Sequence, residues 1–307
     1  MLSVGTIVGD AFGLIRARFG SVLVWGLIYS LGVFALGYFM IASMMPMMAI
    51  DQNADPSVAM GAIGSFFGRL MLFYFAFFCL YNVLRTAAQR AMLRPRESGF
   101  ASLRPGRDEL RQIGLSIILA ILFGVVYLIA AFILGIVAVA VGVGGGLGAP
   151  GGSAAAGAGL GLVMILGILA IFCLMMFLWV RMSLAYPLTL LRGHIVLGEA
   201  WQLSRGHFWT LFGAYLVLML TVFGISIALS ALLQGDYWSQ VLGGRAADPA
   251  AMRAQIEAQY SLGLHMILSL VLGVVVGGVT IALTGGSLAS AARALVGDHE
   301  AIADTFA

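Results

Sequence analysis

Six stretches of the chain are long and apolar enough to cross a lipid bilayer, which a spanning helix does with roughly 20 apolar residues. They are residues 21–45, 62–84, 113–141, 159–186, 207–233 and 262–289. Hydrophobic residues make up 62% of the chain, charged residues only 9%, and the mean hydropathy is +1.05. A soluble protein of 307 residues cannot bury that much apolar surface. The sequence therefore predicts an all-α polytopic membrane protein with six transmembrane helices.

The basic residues are all arginine, and they are unevenly distributed between the two sides of this layout. With both termini in the cytoplasm, 13 of the 16 fall inside: Arg16, Arg18, Arg85, Arg90, Arg94, Arg96, Arg104, Arg107, Arg111, Arg181, Arg192, Arg205 and Arg293. Only Arg69, Arg245 and Arg253 fall outside. The asymmetry follows the positive-inside rule and predicts a multi-pass membrane protein with cytoplasmic N and C termini. The basic pI of about 9.1 then reflects orientation, and we expect no nucleic-acid partner.

The N-terminal segment is expected to stay on the protein rather than to be cleaved as a signal peptide. Arg16 and Arg18 precede a first apolar run much longer than the roughly 7–15 residues of a signal core.

An internal repeat organises the chain. Residues 7–19, IVGDAFGLIRARF, align with residues 196–208, VLGEAWQLSRGHF. The identical positions are Gly9/Gly198, Ala11/Ala200, Leu14/Leu203, Arg16/Arg205 and Phe19/Phe208, and Asp10/Glu199 is a conservative pair. A weaker and more charged copy, SGFASLRPGRDELRQIG, follows the second span. We predict a single membrane domain over residues 1–307, built from three amphipathic-helix-plus-hairpin units at roughly 3–95, 96–192 and 193–307. Copies in the same orientation are related by an axis along the membrane normal.

The first amphipathic helix has a clear apolar face. Ser3 can cap it, and six residues share one face at helical spacing: Val4, Ile7, Val8, Ala11, Ile15 and Phe19. This pattern suits a helix in the headgroup region, with arginine near anionic lipid. It suits equally a helix packed under the bundle, and both arrangements can hold at once.

Two outer loops give further predictions. Residues 142–161 consist almost entirely of Gly and Ala, which predicts a flexible linker. In residues 234–260, Asp248-Pro249 begins a helical pattern that is predicted to run into the sixth span.

Small residues four apart predict close contacts between spanning helices. The two pairs are Gly64/Gly68 and Gly273/Gly277. Such spacing lets two helix backbones approach each other.

The segments around the second amphipathic helix resemble a known family. RMSLAYPLTLL and EAWQLSRGHFWTLFGAYLVL place a spanning helix ending in Arg, then Pro, an amphipathic segment and an aromatic helix start. The matching residues are Arg181, Pro187, Ala200, Leu203, Ser204, Arg205, Gly206, Phe208 and Trp209. The pattern, with IVGDAFGLIRARFG at the N-terminus, resembles the membrane-domain family attached to some bacterial glycerophosphodiester phosphodiesterases, and related six-span inner-membrane proteins. The resemblance covers most of the chain in layout and two short segments in residues. It implies fold and location rather than a reaction.

No catalytic or metal-binding pattern emerges from the sequence. No Asp or Glu lies in the middle of a predicted span. His194, His207, His265 and His299 have no Ser or Cys plus acid partner at suggestive spacing, and there is no HExxH motif. Cys79 and Cys173 fall inside predicted spans without neighbouring His. We therefore expect no enzyme activity, no cofactor and no metal.

Polar residues gather towards the cytoplasmic ends of the even-numbered spans. They are Asn82, Arg85, Gln89, Arg90, Arg181 and Arg293. These side chains can fix helix ends by extending towards water. They can also bind the phosphate of an anionic headgroup, because guanidinium binds phosphate in a forked geometry. The even spans contain no carboxylate that would neutralise them.

The sequence thus favours a non-catalytic inner-membrane protein that acts through lipid or protein contacts, as a scaffold or accessory subunit. Membrane lipids, anionic ones included, and a membrane-protein partner are the expected contacts. The alternative is a transporter or channel for a small or amphipathic solute, which should show a polar lining across the membrane. A lipid-facing enzyme is the third reading.

Overall fold

The structure, a computed structural model, describes residues 2–48, 55–97, 99–104, 106–144, 154–233 and 263–306. Regular secondary structure in these ranges is helical, without strands. The helices are α1 (Val4–Ala17), α2 (Phe19–Met48), α3 (Pro56–Leu93), α4 (Arg107–Gly144), α5 (Ala154–Met182), α6 (Ala185–Arg192), α7 (Leu197–Leu203), α8 (Phe208–Leu233) and α9 (Leu264–Phe306). Two 3₁₀ turns, Pro95–Glu97 and Phe100–Ser102, lie between α3 and α4. Six helices, α2, α3, α4, α5, α8 and α9, are long and apolar enough to cross a membrane, which confirms the predicted fold class.

Several of the spanning helices extend well beyond their apolar stretches. Helices α3 and α4 have 38 residues each and α9 has 43. At about 1.5 Å per residue, α3 is roughly 57 Å long, against roughly 30 Å for the hydrocarbon core of a bilayer. The predicted boundaries 62–84 and 113–141 marked only the apolar part, because the helical hydrogen bonds continue through the polar flanks. The arginines of α3 lie on this extra length.

The predicted linker at 142–161 is wrong at both of its ends. Helix α4 continues to Gly144, and α5 begins at Ala154. Ala is the best helix former, and Gly is frequent in membrane helices, so this composition is compatible with helix next to a span. Residues 145–153 and the predicted outer helix in 234–260 lie outside the described residues.

Local capping explains where several helices begin and end. Ser3 Oγ accepts from the Thr6 backbone N–H at 3.1 Å, which confirms the predicted cap of α1. Asp55 caps α3 by accepting from the Ser57 N–H at 2.8 Å, with Pro56 as the first helical residue. This hydrogen bond holds the pKa of the Asp55 carboxyl below its usual value. Gly193 ends α6 in the left-handed conformation at φ 73°.

The chain divides into two compact units, Met1–Glu109 with Trp209–Ala307, and Leu110–Phe208. In the first, α2 packs against both α9 and α3. A Cβ built on Gly26 would clash with the Val274 carbonyl oxygen of α9, and one on Gly278 would clash with the Val22 carbonyl oxygen of α2. The two backbones therefore touch, which only glycine at these positions permits.

The predicted glycine pairs have different outcomes. Gly273 and Gly277 face α2, where an added Cβ would be 2.5 Å from Ser30 Oγ and from Tyr29 Cδ1 respectively, so this prediction is confirmed. An added Cβ at Gly64 or Gly68 would meet nothing within 4 Å in the described part of the chain. Those two glycines therefore make no close contact with another helix among the described residues.

Helix α1 packs along α9 in the same unit. Its buried stripe is Ile7, Ala11 and Leu14. Gly286 of α9 lies against it, since a Cβ there would be 3.2 Å from Leu14 Cδ2. Phe19, predicted on the apolar face, is exposed, because α1 ends at Ala17 and Phe19 starts α2. Helix α1 therefore packs against another helix, which is one of the two arrangements that its apolar face was predicted to allow.

The second unit contains α5, α6, α7 and α4 from Leu110 onward. Gln112 Nε2 donates to the Tyr186 carbonyl oxygen at 2.6 Å, which attaches α6 to α4. Helix α7 packs against α5 and α6. Both residues of the aligned pairs Ala11/Ala200 and Leu14/Leu203 are buried, one of each pair in each unit. The full three-unit repeat and the single domain stay predictions.

Candidate functional site

The polar end of α3 contains four of the six residues predicted to contact a headgroup. Asn82 donates from Nδ2 to the Phe78 carbonyl oxygen at 2.8 Å. Its Oδ1 accepts from Arg85 Nη2 at 2.7 Å. The Arg85 guanidinium lies 5.7 Å from the centroid of the Tyr81 ring. Asn82 and Arg85 are three residues apart on a helix and therefore partner each other.

Gln89, on the same helix, is fully buried. Neither Oε1 nor Nε2 of its side chain has a hydrogen-bond partner in the described residues. Helix α9 passes beside it, since a Cβ on Gly285 would be 3.5 Å from the Gln89 backbone nitrogen. This burial does not favour the predicted headgroup contact at Gln89.

Arg90 has an ion pair in the protein interior. Its side chain is only 2% exposed, and Nη2 donates to Glu109 Oε1 at 2.6 Å. Asp108 Oδ2 is 3.6 Å from the same nitrogen. Nη1 donates to the Ser102 carbonyl oxygen at 2.9 Å. The charge of Arg90 is therefore neutralised by the first turn of α4.

Two buried hydrogen bonds hold the segment between α3 and α4 in place, each from a side-chain donor to a backbone carbonyl. Arg90 holds the Ser102 carbonyl, and Trp25 of α2 donates from Nε1 to the Ala101 carbonyl oxygen at 2.8 Å. Ala101 and Ser102 have φ values of 50° and 54°, a left-handed conformation that is costly for residues other than glycine. The two hydrogen bonds help to keep this strained turn in place, and the turn leads to the acids at the start of α4.

Arg293 of α9 also has a carboxylate partner. Its Nη2 donates to Asp10 Oδ2 of α1 at 3.1 Å, and Ser290 Oγ donates to the same oxygen at 2.7 Å. The Arg293 side chain is 57% exposed, so solvent weakens this pair. A third pair joins Arg192 and Glu199 at 2.8 Å in the second unit. Asp10 and Glu199 are aligned residues of the repeat, and each pairs with an arginine of another helix.

Arg181 differs from these arginines. It lies in the last turn of α5 and is 7% exposed. Its guanidinium carbon is 4.2 Å from the centroid of the Trp201 ring and 5.8 Å from that of Phe177. In the described residues Arg181 makes no ion pair and its Nε has no hydrogen-bond partner. Stacking on indole is worth roughly 0.5–2 kcal/mol, which does not replace hydration of a buried cation.

The surroundings of Arg181 are aromatic and basic. The Trp201 and Phe208 rings lie 6.1 and 5.3 Å from the Phe177 ring. Ser204 Oγ donates to the Trp201 carbonyl oxygen at 3.1 Å, in the turn that places Arg205 after α7. Arg205 follows Ser204 at the end of α7, four residues after the Trp201 ring on which Arg181 stacks, so it brings a second positive charge to this region. The nearest acid along the chain, Glu199, is already paired with Arg192.

The six predicted residues therefore do not form one site. Asn82, Arg85, Gln89, Arg90 and Arg293 belong to the first unit, and Arg181 belongs to the second. The even spans have no carboxylate of their own, but neighbouring elements supply Glu109 to Arg90 and Asp10 to Arg293. The prediction that these arginines have no carboxylate partner is therefore wrong for Arg90 and Arg293. Among the described residues, Arg181 has no such partner.

Comparison of the chain with protein-family models, with curated proteins and with solved structures finds no match.

The sequence identified the arginines at the helix ends, but it did not identify the side chains that contact them. Arg205 was an aligned position of the repeat and a residue of the family resemblance, and Trp201 lies within the aligned segment 196–208, but neither residue was assigned to a site. The stacking of Arg181 on Trp201 depends on how α7 packs on α5, and no sequence pattern indicated that contact. The alignment of Asp10 with Glu199 was the one signal that both acids have a similar role, since each precedes a spanning helix. In the described residues no group of three or more His, Cys, Asp and Glu side chains is arranged to hold a metal.

Proposed function

We propose that the chain is a non-catalytic protein of the bacterial inner membrane, with both termini in the cytoplasm, which acts through contacts with anionic lipid. It serves as a scaffold or accessory subunit for a membrane-protein partner. The resemblance to the phosphodiesterase-associated membrane family is part of this proposal. The fold, the arginine distribution and the lack of a catalytic motif in the sequence support it.

The position of the buried charges supports it most directly. In the described residues the buried ionised side chains are Arg90, Glu109 and Arg181. Each lies in the first or last turns of a spanning helix. Functional charges of transporters usually lie deeper, along the substrate path. Arg90 and Glu109 neutralise each other, whereas Arg181 has no carboxylate partner in the described residues. Arg181 lies in the last turn of α5, where a basic side chain can meet a lipid headgroup.

Lipid selection tests this function. The protein should be purified from a bacterial membrane, reconstituted in nanodiscs of phosphatidylglycerol and phosphatidylcholine in equal amounts, and released for native mass spectrometry. We expect the bound lipid to be enriched in phosphatidylglycerol. Equal occupancy by the two lipids would contradict the proposal, because an arginine-bearing contact must prefer the anionic headgroup. As a control for the transport alternative, proteoliposomes should release a small trapped dye no faster than empty liposomes.

The proposed orientation predicts a reporter pattern. A reporter that is active only in the cytoplasm should give signal when fused after Arg104 or at the C-terminus. The same reporter inserted at residues 150–153 should give none. The physical reason is the excess of arginine in the segments placed inside. The opposite pattern, or equal signals at both kinds of site, would exclude this topology.

A further inference from the structure

The unneutralised Arg181 lies on the same stripe of α5 as an apolar groove. The groove, of about 420 Å³, is formed by α4 and α5 within the second unit. Its walls are aliphatic, with Ile133, Leu134 and Val137 on α4 and Leu166, Ile171 and Leu174 on α5. No charged side chain lines it. A groove of this composition in a membrane protein suits an acyl chain.

The spacing along α5 connects the groove to the cation. Gly167, Leu174 and Arg181 are seven residues apart, so they drift by only roughly 20° per step around the helix. Leu174 and Arg181 are separated by about 10 Å along the axis. Phe177 lies between them and contacts both Trp201 and the Arg181 guanidinium. One stripe of the helix is therefore aliphatic, then aromatic, then cationic. This order complements an anionic phospholipid, whose acyl chain leads through the glycerol to a negatively charged phosphate.

Arg181 needs an anionic partner that the described part of the chain does not provide. Arg181 is 7% exposed and its Nε has no hydrogen-bond partner, and among the described residues its guanidinium has contacts with aromatic rings but no carboxylate. Arg205 adds a second positive charge instead of a negative one. Two guanidinium groups can bind one phosphate through charge-assisted hydrogen bonds.

From this geometry we infer that Arg181 and Arg205, supported by Trp201, form a binding site for the phosphate of an anionic phospholipid whose acyl chain occupies the α4–α5 groove. This inference rests on the proposed lipid-binding function and specifies its site. It places the site in Leu110–Phe208 and assigns no headgroup to the paired Arg90 and Arg293. Free phosphate could bind the same guanidinium groups, but it has no acyl chain to occupy the groove.

The test compares full-length variants in the same native mass spectrometry assay. Arg181→Gln with Arg205→Gln should weaken phosphatidylglycerol retention by about tenfold or more, because charge-assisted hydrogen bonds are lost. Arg192→Gln is the matched control, since it removes one positive charge from the same unit at a side chain that is 43% exposed and already paired. It should retain phosphatidylglycerol as the wild type does. Retention of phosphatidylcholine should be the same in all variants.

A second variant separates binding from folding. Arg205 is exposed, so Arg205→Gln alone should fold as the wild type does and still weaken retention. Arg181→Lys keeps the charge but loses the forked geometry and most of the stacking on Trp201. Its retention of phosphatidylglycerol should therefore lie between that of the wild type and that of the double variant. Helical circular dichroism of each variant should match the wild type.

The outcomes distinguish the site from the wider function. If the wild type prefers phosphatidylglycerol and the double variant retains as much of it, the site is wrong and the proposed function stands. If the wild type has no preference, the proposed function itself fails. Inorganic phosphate at millimolar concentration should not displace the bound lipid. Its displacement of the lipid would overturn the assignment to a phospholipid in favour of free phosphate.

Discussion

Arg90→Gln should destabilise the protein by about 3–5 kcal/mol, the cost of breaking a buried ion pair by removing one partner. The substitution leaves the Glu109 carboxylate, which is 5% exposed, without the Nη2 donor that is 2.6 Å away. It also removes the donor to the Ser102 carbonyl, so the strained turn at Ala101 and Ser102 loses one of its two fastenings. The measurement is unfolding of the detergent-solubilised protein in increasing SDS, followed by helical circular dichroism.

Two companion variants make this result specific. Arg192→Gln breaks the exposed pair with Glu199 and should cost at most about 1 kcal/mol, as surface pairs do. The double change Arg90→Gln with Glu109→Gln should recover at least half of the loss, because no buried charge is then left alone. If Arg90→Gln is no more harmful than Arg192→Gln, the buried pair does not stabilise the fold.

Gly26→Ala should be the second most damaging change, with a loss of about 3 kcal/mol, the upper end for an overpacked core. The added methyl would overlap the Val274 carbonyl oxygen and lie 2.8 Å from the Gly278 backbone nitrogen. Backbone atoms cannot rotate aside, so α2 and α9 must move apart. The same SDS titration measures the effect.

The matched control is another helix glycine in a spanning segment. Gly64→Ala adds the same methyl where nothing lies within 4 Å, so it should be neutral or stabilising by up to about 1 kcal/mol through helix propensity. Equal unfolding midpoints for Gly26→Ala and Gly64→Ala would contradict the close contact between α2 and α9.

The sequence predicted the fold class well because membrane spans follow from hydropathy alone. All six predicted stretches coincide with long apolar helices. It predicted helix contacts less well. Gly273 and Gly277 were recognised by their spacing, whereas Gly26 and Gly278, which approach backbone atoms, have no second glycine four residues away. Which glycine faces another helix depends on rotation about the helix axis, and hydropathy does not determine that rotation in a helix that is apolar all round.

The candidate site could be predicted only in part. Arginines at helix ends are visible in a sequence, but their partners come from elements far away along the chain. Asp10 and Arg293 are 283 residues apart, and Arg90 and Glu109 are 19 apart across a turn with unusual φ angles. The sequence could not show that these two arginines are neutralised while Arg181 is not. That distinction depends on packing and places the proposed headgroup site at Arg181.

The close contact between α2 and α9 also determines the order in which the helices of the first unit can pack during synthesis. Ser30 Oγ donates to the Leu270 carbonyl oxygen, and these residues are 240 positions apart. At about 5–20 residues per second, a ribosome needs roughly 10 to 50 seconds to synthesise the second after the first. Trp25 meets Ala101 much sooner, because only 76 positions separate them. Nascent α2 can therefore join α3 and the turn before α4 early, while its glycine surface stays in contact with lipid until α9 is made. The first unit is thus completed only after the whole second unit has been synthesised.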